Sequence, residues 1–120
     1  MVMPNESEME ALGGDITAAS TALGCTVVSR GSDTLVTVPG RTLYLCRGGG
    51  VGLATAGSGD VAAGAIAGLV GRGADPLVAA AWGAVLHARA GGALAERVGT
   101  IGYLARELLD ELPRAWTAPQ

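Results

Sequence analysis

GGGVGLATAGSGDVAAGAIAG, residues 48–68, places eight of the chain's 20 glycines around a single acidic residue, Asp60. From Gly59 onward the residues are small and apolar at helical spacing, which predicts a helix over 59–71. A glycine loop leading into a helix N-terminus exposes unpaired backbone amides at the positive end of the helix dipole. The stretch therefore predicts an anion site, and phosphate is the natural ligand.

The position of Asp60 refines this interpretation. A carboxylate in the first helical turn would repel a bound phosphate, unless it faces a hydroxyl that loses its proton while attacking a terminal phosphate. The local sequence also allows a simpler reading, in which Asp60 only favours a helix N-terminus and the glycines form a flexible connection. Both readings stay open on these residues. The pattern GxxxxGK[ST] is absent, so the loop is not a P-loop.

The segments before the glycine loop alternate between helical and extended patterns. PNESEMEALGG, residues 4–14, predicts a turn and a short helix that ends at Gly13 and Gly14. DITAASTALG, residues 15–24, predicts a second helix capped by Asp15, with apolar positions at Ile16, Ala19 and Leu23. CTVVSRG, TLVTVPG and RTLYLCRGG predict three strands with turns at 31–33 and 39–40, and the latter two strands are expected to form a hairpin.

Three helices are predicted after the loop. The first, over 59–71, has an apolar face of Ala62, Ala65, Ile66, Leu69 and Val70. The second is predicted from Pro76 to about residue 98, with Asp75 as N-cap and the Gly91-Gly92 pair loosening its middle. The third is predicted over 101–112, with Leu104, Leu108 and Leu112 on one stripe, Pro113 ending it and residues 114–120 forming a frayed tail.

Composition limits the class of protein. The chain has 120 residues, is 49% hydrophobic and carries a formal charge of −3, which predicts a single domain and makes nucleic acid an unexpected partner. Cys25 and Cys46 lack metal-ligand spacing, so we interpret them as buried structural thiols in a reducing cytoplasm. The acidic N-terminal residues do not resemble a signal peptide, and no transmembrane stretch or membrane partner is predicted. His87 is expected to be a packed or rim residue, and Trp82 a core residue.

TAGSGDVAAGAIAGLVGRGADP, residues 55–76, resembles the anion-hole segment of the ribokinase-like superfamily. The resemblance is strongest to the ADP- or ATP-dependent NAD(P)H-hydrate dehydratases. PNESEMEALGG and VVSRGSDTLV occur in the family's order before this segment, and AAWGAVLHARAGGALAE and IGYLARELLDELP resemble the family's C-terminal end. The similarity extends over nearly the whole chain. It implies a ribokinase-like α/β fold in truncated form, with three C-terminal helices packed on a sheet that includes a hairpin.

The resemblance also implies roles for particular residues. Asp60 corresponds to the acid that activates the substrate hydroxyl, and the anion-hole amides correspond to Gly57, Ser58 and Gly59. The nucleotide-binding segment corresponds to Arg30, Gly31, Ser32, Asp33 and Thr34, with Arg30 where the family usually has lysine. Asn5 and Glu8 have the NxxE spacing that ribokinase-like kinases use near magnesium and phosphates, whereas dehydratases more often read HPGE there. ADP or ATP and Mg²⁺ are the implied cofactors, and no residue is assigned as a direct metal ligand.

The implied activity is a repair reaction. The family phosphorylates the hydroxyl of hydrated NADH or NADPH with a nucleotide, and loss of phosphate then restores the reduced cofactor. A kinase for a small alcohol and an inactive nucleotide-binding remnant are the alternatives. A complete ribokinase-like domain is roughly twice this length, so residues 1–120 correspond to its nucleotide-binding half. We expect an unprotected sheet edge, covered in a homo-oligomer or by a partner chain that supplies the missing half-domain.

Overall fold

The structure, a computed structural model, describes residues 1–41 and 44–117. Helices and strands alternate in the first half of the chain, and the second half is helical. The elements, in chain order, are α1 (Glu6–Ala11), α2 (Ile16–Leu23), β1 (Val27–Arg30), β2 (Thr34–Thr37), β3 (Tyr44–Cys46), a 3₁₀ turn (Val51–Ala54), α3 (Ser58–Gly71), α4 (Pro76–Arg97) and α5 (Ala105–Thr117).

The three strands form one antiparallel sheet in the order β1-β2-β3. Val28 pairs with Val36, and Leu35 pairs with Leu45. This confirms the predicted strands and the hairpin between the second and third. Residues 42 and 43, at the start of the third predicted strand, lie outside the described residues.

The outer edge of β1 is covered by the N-terminal segment of the same chain, and the expectation of an unprotected sheet edge stays a prediction. Val2 bridges Val27 in parallel. Its amide donates to the Thr26 carbonyl at 3.0 Å, and its carbonyl accepts from the Val28 amide at 2.9 Å. Residues 2–4 therefore extend the sheet beyond β1.

Helices pack on both faces of the sheet because successive strand residues point to opposite sides. Val28 and Val36 pack with Ile66 of α3 and with Leu77 of α4. Val27, on the opposite face, packs in a second cluster formed with α1 and α2, whose other members are Met9, Ile16 and Ala19. The sheet is thus the middle layer between two helical layers, and α5 packs against α4.

Glycine allows the close approach of α3 and α4. A Cβ on Gly83 would overlap the side chain of Ile66, so the two helices meet at this glycine. Asp75 caps α4 as predicted, accepting from the Leu77 amide at 3.0 Å. The expectation that Gly91-Gly92 loosens α4 is wrong, because the helix is continuous and Gly91 is buried against Leu53.

The last helix begins and ends later than predicted. The Glu107 carboxylate accepts from the Leu104 amide at 2.7 Å, which fixes the start of α5 at Ala105 rather than near Ile101 and leaves Leu104 exposed. Pro113 lies inside the helix and does not end it. Proline removes one helical hydrogen bond, but the packing of buried Leu108 and Ala115 continues on both sides of it.

The predicted frayed tail is also corrected. Residues 114–117 belong to α5, and Trp116 packs against Trp82 with ring centroids 5.6 Å apart and ring planes inclined at 41°. Trp82 is therefore an exposed surface aromatic and not a core residue. Residues 118–120 lie outside the described residues.

Some predicted burial is wrong in detail. Leu23 and Val70, expected on apolar faces, are exposed. Cys25 and Cys46 are free thiols, but each is half-buried rather than buried. These positions lie at the margins of their helices or strands, where sequence periodicity does not determine how far a neighbouring element extends.

No transmembrane stretch was predicted from the sequence, but by length and composition alone α4 could cross a membrane. Its most apolar 18-residue window has a mean hydropathy of 1.3, and 56% of that window is buried inside the protein. In the structure α4 packs against both α3 and α5. It therefore occupies the position of a core helix.

Candidate functional site

A cavity of about 690 Å³ lies beside the N-terminus of α3. The glycine loop and the 3₁₀ turn form one wall, and the ends of β1 and β2, the start of α1 and the middle of α4 form the others. The lining residues used below are Asn5, Arg30, Gly31, Ser32, Thr34, Gly57, Gly59 and His87. Chain segments far apart in sequence thus meet at the glycine-rich stretch.

The first turn of α3 presents unpaired amides at this cavity. Gly57 is its N-cap in a left-handed conformation, with φ +87°, and provides no side-chain cap. The first helical hydrogen bond runs from the Val61 amide to the Gly57 carbonyl at 3.2 Å. The amides of Gly59 and Asp60 therefore have no carbonyl earlier in the helix to bind, and a helix end of this kind can accommodate an anion.

Ser58 differs from its expected role. Its amide donates to the Thr55 carbonyl at 3.2 Å, so it is already used within the loop. Its side chain is 1% exposed and lies away from solvent. Of the predicted Gly57, Ser58 and Gly59 amides, that of Ser58 is engaged within the loop, and the Asp60 amide follows that of Gly59 in the first turn of the helix.

Arg30 lies against the same helical turn. A Cβ on Gly59 would lie 2.7 Å from Arg30 Cζ, so the guanidinium occupies the space that any larger residue would fill. Arg30 Nε is buried and finds no hydrogen-bond partner among the described residues. A guanidinium and a helix N-terminus, both positive, thus meet at one edge of the cavity, where an anion would interact favourably with both.

His87 reaches the site from α4. Its Nε2 lies 2.8 Å from Ser58 Oγ, and both side chains are buried. Burial lowers the pKa of His87 below its ordinary value, the positive charge of Arg30 lowers it further, and a hydrogen bond to the Ser58 backbone acts in the opposite direction. The imidazole is therefore neutral near pH 7.

Only some of the remaining predicted residues line the cavity. Gly31, Ser32 and Thr34 line the cavity, whereas Asp33 lines a smaller, neighbouring one of about 380 Å³. Asp60 is exposed on the first turn of α3 and does not belong to the cavity lining. It lies beside the amides that would hold an anion, at the solvent side of the site.

Asn5 and Glu8 have a structural role at α1. Asn5 Oδ1 accepts from the Glu8 amide at 2.9 Å, and Glu8 Oε2 accepts from the Asn5 amide at 2.7 Å. This is a reciprocal capping box. Asn5 lines the cavity and Glu8 does not, and the expected position of this pair near magnesium and phosphates stays a prediction.

Sequence reasoning missed two contacts at the site. The expectation for His87 as a packed or rim residue fits its burial, but its bond to Ser58 was not foreseen. Nor was the contact of Arg30 with Gly59. Each joins residues 29 positions apart, and neither leaves a local pattern that could identify its partner.

The described residues contain no group of three or more His, Cys, Asp or Glu side chains that could hold a metal ion. A magnesium ion that accompanies a nucleotide needs no such cluster, because it keeps several waters and binds the phosphates with one or two carboxylates. The donor set of the described residues is therefore compatible with magnesium carried by the nucleotide.

Comparisons with known proteins agree with this arrangement. A family model, Carb_kinase, described as NAD(P)H-hydrate dehydratase, matches residues 2–114. An ADP-dependent (S)-NAD(P)H-hydrate dehydratase of Xanthomonas campestris pv. campestris is 44% identical over 125 residues, covering 94% of this chain and 43% of the relative. A bifunctional NAD(P)H-hydrate repair enzyme of Moorella thermoacetica is 48% identical over 84 residues, covering 70% of this chain and 16% of the relative.

A solved structure has the same fold. The ADP/ATP-dependent NAD(P)H-hydrate dehydratase of Bacillus subtilis, co-crystallised with ATP and Mg²⁺, superimposes with a TM-score of 0.81 at 25% identity. The match covers 95% of this chain and 46% of that one. The chain thus has a ribokinase-like α/β fold and spans less than half the length of each of these relatives.

Proposed function

The chain belongs to the NAD(P)H-hydrate dehydratase family, and from that premise we propose that its cavity binds the phosphates of ADP or ATP for the repair of hydrated NADH or NADPH. The observation that carries the proposal is the placement of Arg30 against Gly59. It sets a buried guanidinium nitrogen without a partner among the described residues beside the open amides of Gly59 and Asp60. A terminal phosphate offers oxygens to both groups.

The proposed reaction uses these groups in defined roles. The hydroxyl oxygen of the hydrate bonds to the terminal phosphorus of the nucleotide, the bond from that phosphorus to its bridging oxygen breaks, and Asp60 takes the hydroxyl proton. Arg30 and the amides of Gly59 and Asp60 stabilise charge on the transferred group. Loss of phosphate, together with a proton from the neighbouring carbon, then restores the carbon–carbon double bond of the dihydronicotinamide.

Other predicted residues have supporting roles in this proposal. Gly31, Ser32 and Thr34 would contact the nucleotide from the cavity wall, and Asp33 would lie beyond it. Mg²⁺ would neutralise the phosphates when bound. Asn5, which lines the cavity, would help to hold the magnesium and phosphates, while the Glu8 carboxylate accepts from the Asn5 amide in the capping box.

The substrate side of the site is also proposed rather than described. The chain spans less than half of its relatives' length, and we propose that the contacts to the hydrated nicotinamide come from the part of the fold that lies outside residues 1–120. A cytoplasmic location, where the reduced cofactors are used, belongs to the same proposal.

Recovery of NADH tests the proposal. Hydrated NADH is incubated with Mg²⁺ and ADP or ATP, and the return of NADH absorbance is followed on protein of known mass in solution. We expect nucleotide-dependent recovery, which Asp60→Asn abolishes while ADP affinity stays within about threefold, because the amide cannot take the proton. Asp110→Asn, an exposed substitution on α5, is the matched control and should keep full activity.

The outcomes separate the alternatives. Recovery without nucleotide, or unchanged recovery in Asp60→Asn, would contradict the proposed mechanism. ADP binding with no recovery by the wild-type chain would favour a nucleotide-binding remnant or an assembly that needs its partner. Loss of folding together with binding in Asp60→Asn would make Asp60 a structural residue of the helix terminus.

A further inference from the structure

Ser58 and His87 form a buried polar contact between two helices. Ser58 is the first residue of α3, and His87 lies in the middle of α4. The oxygen and nitrogen are 2.8 Å apart, with 1% of Ser58 and 6% of His87 exposed. Apolar side chains of the same size would fill this space without the desolvation that two polar groups require, so the contact suggests a role beyond packing.

The first turn of α3 needs such a contact. Its N-cap is a glycine that provides no side-chain hydrogen bond, whereas the N-cap side chains of α1, α2 and α4 each bind a first-turn amide. Glycine is also a poor helix former, and α3 contains Gly59, Gly64, Gly68 and Gly71. A helix start of this composition frays unless another element holds it.

The Ser58–His87 hydrogen bond can affect the proposed anion site through the backbone of α3. Ser58 directly precedes Gly59 and Asp60, whose amides face no helical partner. A shift of Ser58 would move both amides and would also change the space against which Arg30 lies at Gly59. Small displacements of groups that stabilise a transferred phosphoryl reduce both binding and rate.

We propose that the Ser58–His87 hydrogen bond is a positioning element, which ties the first turn of α3 to α4 and so holds the Gly59 and Asp60 amides at the edge of the cavity. Its relevance to nucleotide binding rests on the proposed function, whereas its effect on the helix start does not. The low pKa of His87 supports it, because the neutral ring can either accept from or donate to the serine hydroxyl. A protonated ring could only donate and would lie near the positive Arg30.

Amide hydrogen exchange tests the tie without any nucleotide. The Val61 amide closes the first turn of α3, so its exchange reports the opening of that turn. We expect about tenfold faster exchange at Val61 in Ser58→Ala and in His87→Asn. In Ser58→Thr, which keeps the hydroxyl, we expect protection within about twofold of wild type.

Ser20→Ala is the matched control. Ser20 is also fully buried, and its hydroxyl donates to the Cys25 carbonyl at 2.8 Å, but it lies on α2 away from the cavity. We expect Ser20→Ala to lower global stability to a similar degree and to leave Val61 exchange unchanged under native conditions. Unchanged Val61 exchange in both Ser58→Ala and His87→Asn, or equal acceleration in Ser20→Ala, would overturn the proposal.

Calorimetric titration with MgADP gives the second readout. Ser58→Ala and His87→Asn should each raise Kd about tenfold, the double variant should be no weaker than either, and Ser58→Thr and Ser20→Ala should stay within about twofold of wild type. An unchanged Kd in both single variants would overturn the role of the Ser58–His87 hydrogen bond in nucleotide binding. So would a rise in Kd of the double variant equal to the product of the two single rises. If the wild-type chain does not bind MgADP, the proposed function fails, and Val61 exchange alone still decides whether the tie exists.

Discussion

Gly59→Ala separates the fold of α3 from the binding of an anion. The φ of Gly59 is not in the left-handed region, so alanine fits the backbone there. The added Cβ would overlap the guanidinium of Arg30 and lie 2.7 Å from its Cζ. Because this is the far end of a long side chain, we expect Arg30 to be displaced while the helix remains.

The gain in helix propensity and the displacement of Arg30 change the free energy of unfolding in opposite directions. Replacing glycine by alanine within a helix stabilises it by up to about 1 kcal/mol, and part of this gain is lost where Arg30 moves. The free energy of unfolding should therefore change by less than about 1 kcal/mol. Loss of one charge-assisted contact to phosphate costs about 1.5–3 kcal/mol, which corresponds to roughly a 10- to 150-fold higher Kd for MgADP.

Gly64→Ala is the matched control on the same helix. A Cβ there meets nothing within 4 Å, so we expect the same gain in helix propensity and no change in Kd. Urea unfolding and calorimetric titration of the two variants measure both quantities. Unchanged Kd in Gly59→Ala, or an equal rise in Gly64→Ala, would refute the assignment of Arg30 and the first turn of α3 to anion binding.

The remaining predictions concern stability. Glu111→Gln should lower the free energy of unfolding by about 1–2 kcal/mol, since the buried carboxylate binds Arg97 and Arg114, which are themselves exposed; unchanged urea unfolding would contradict this. The Arg97 hydrogen bond lowers the pKa of Glu111, so this contribution is present above the ordinary carboxyl pKa and is lost as pH falls through the lowered value. The pKa of His87 is lowered mainly by burial, so stability should also decline as pH falls below the ordinary imidazole value of 6.5. His87→Gln should remove that decline in unfolding curves from pH 7.5 to 5, and an identical decline would argue against it. Gly83→Ala should destabilise the chain by about 1–3 kcal/mol through its overlap with Ile66, whereas Gly92→Ala, with open space around it, should not lower the melting temperature.

Local signals predicted most of the fold. Asp15 and Asp75 cap their helices through hydrogen bonds to amides two or three residues away, and such short-range chemistry is visible in the sequence. The strands and turns were predicted for the same reason. The start of α5 was not predicted, because Leu104, whose amide binds the Glu107 side chain, is not one of the polar residues that mark an N-cap. Its end was not predicted because Pro113 lies within a helix that packing sustains beyond it.

The candidate site was predictable only in part. The glycine loop, the helix start and Asp60 were predicted from adjacent residues, because a loop that exposes its amides is rich in glycine over a short stretch of sequence. The positions of Arg30 over Gly59 and of His87 against Ser58 depend on how β1 and α4 pack around α3. The Ser58 amide is engaged with the Thr55 carbonyl in a local turn, which the sequence analysis did not predict.

The amide shifts of ¹⁵N-labelled protein during titration with MgADP would test the central claim most directly. If the phosphates bind where Arg30 meets the first turn of α3, the largest shifts should occur at the amides of Gly59 and Asp60 and at Nε–H of Arg30, and they should saturate with one Kd. Ser20 and Asp110, which lie outside the cavity, should not shift. Saturable binding whose shifts leave Gly59, Asp60 and Arg30 unchanged would contradict the account.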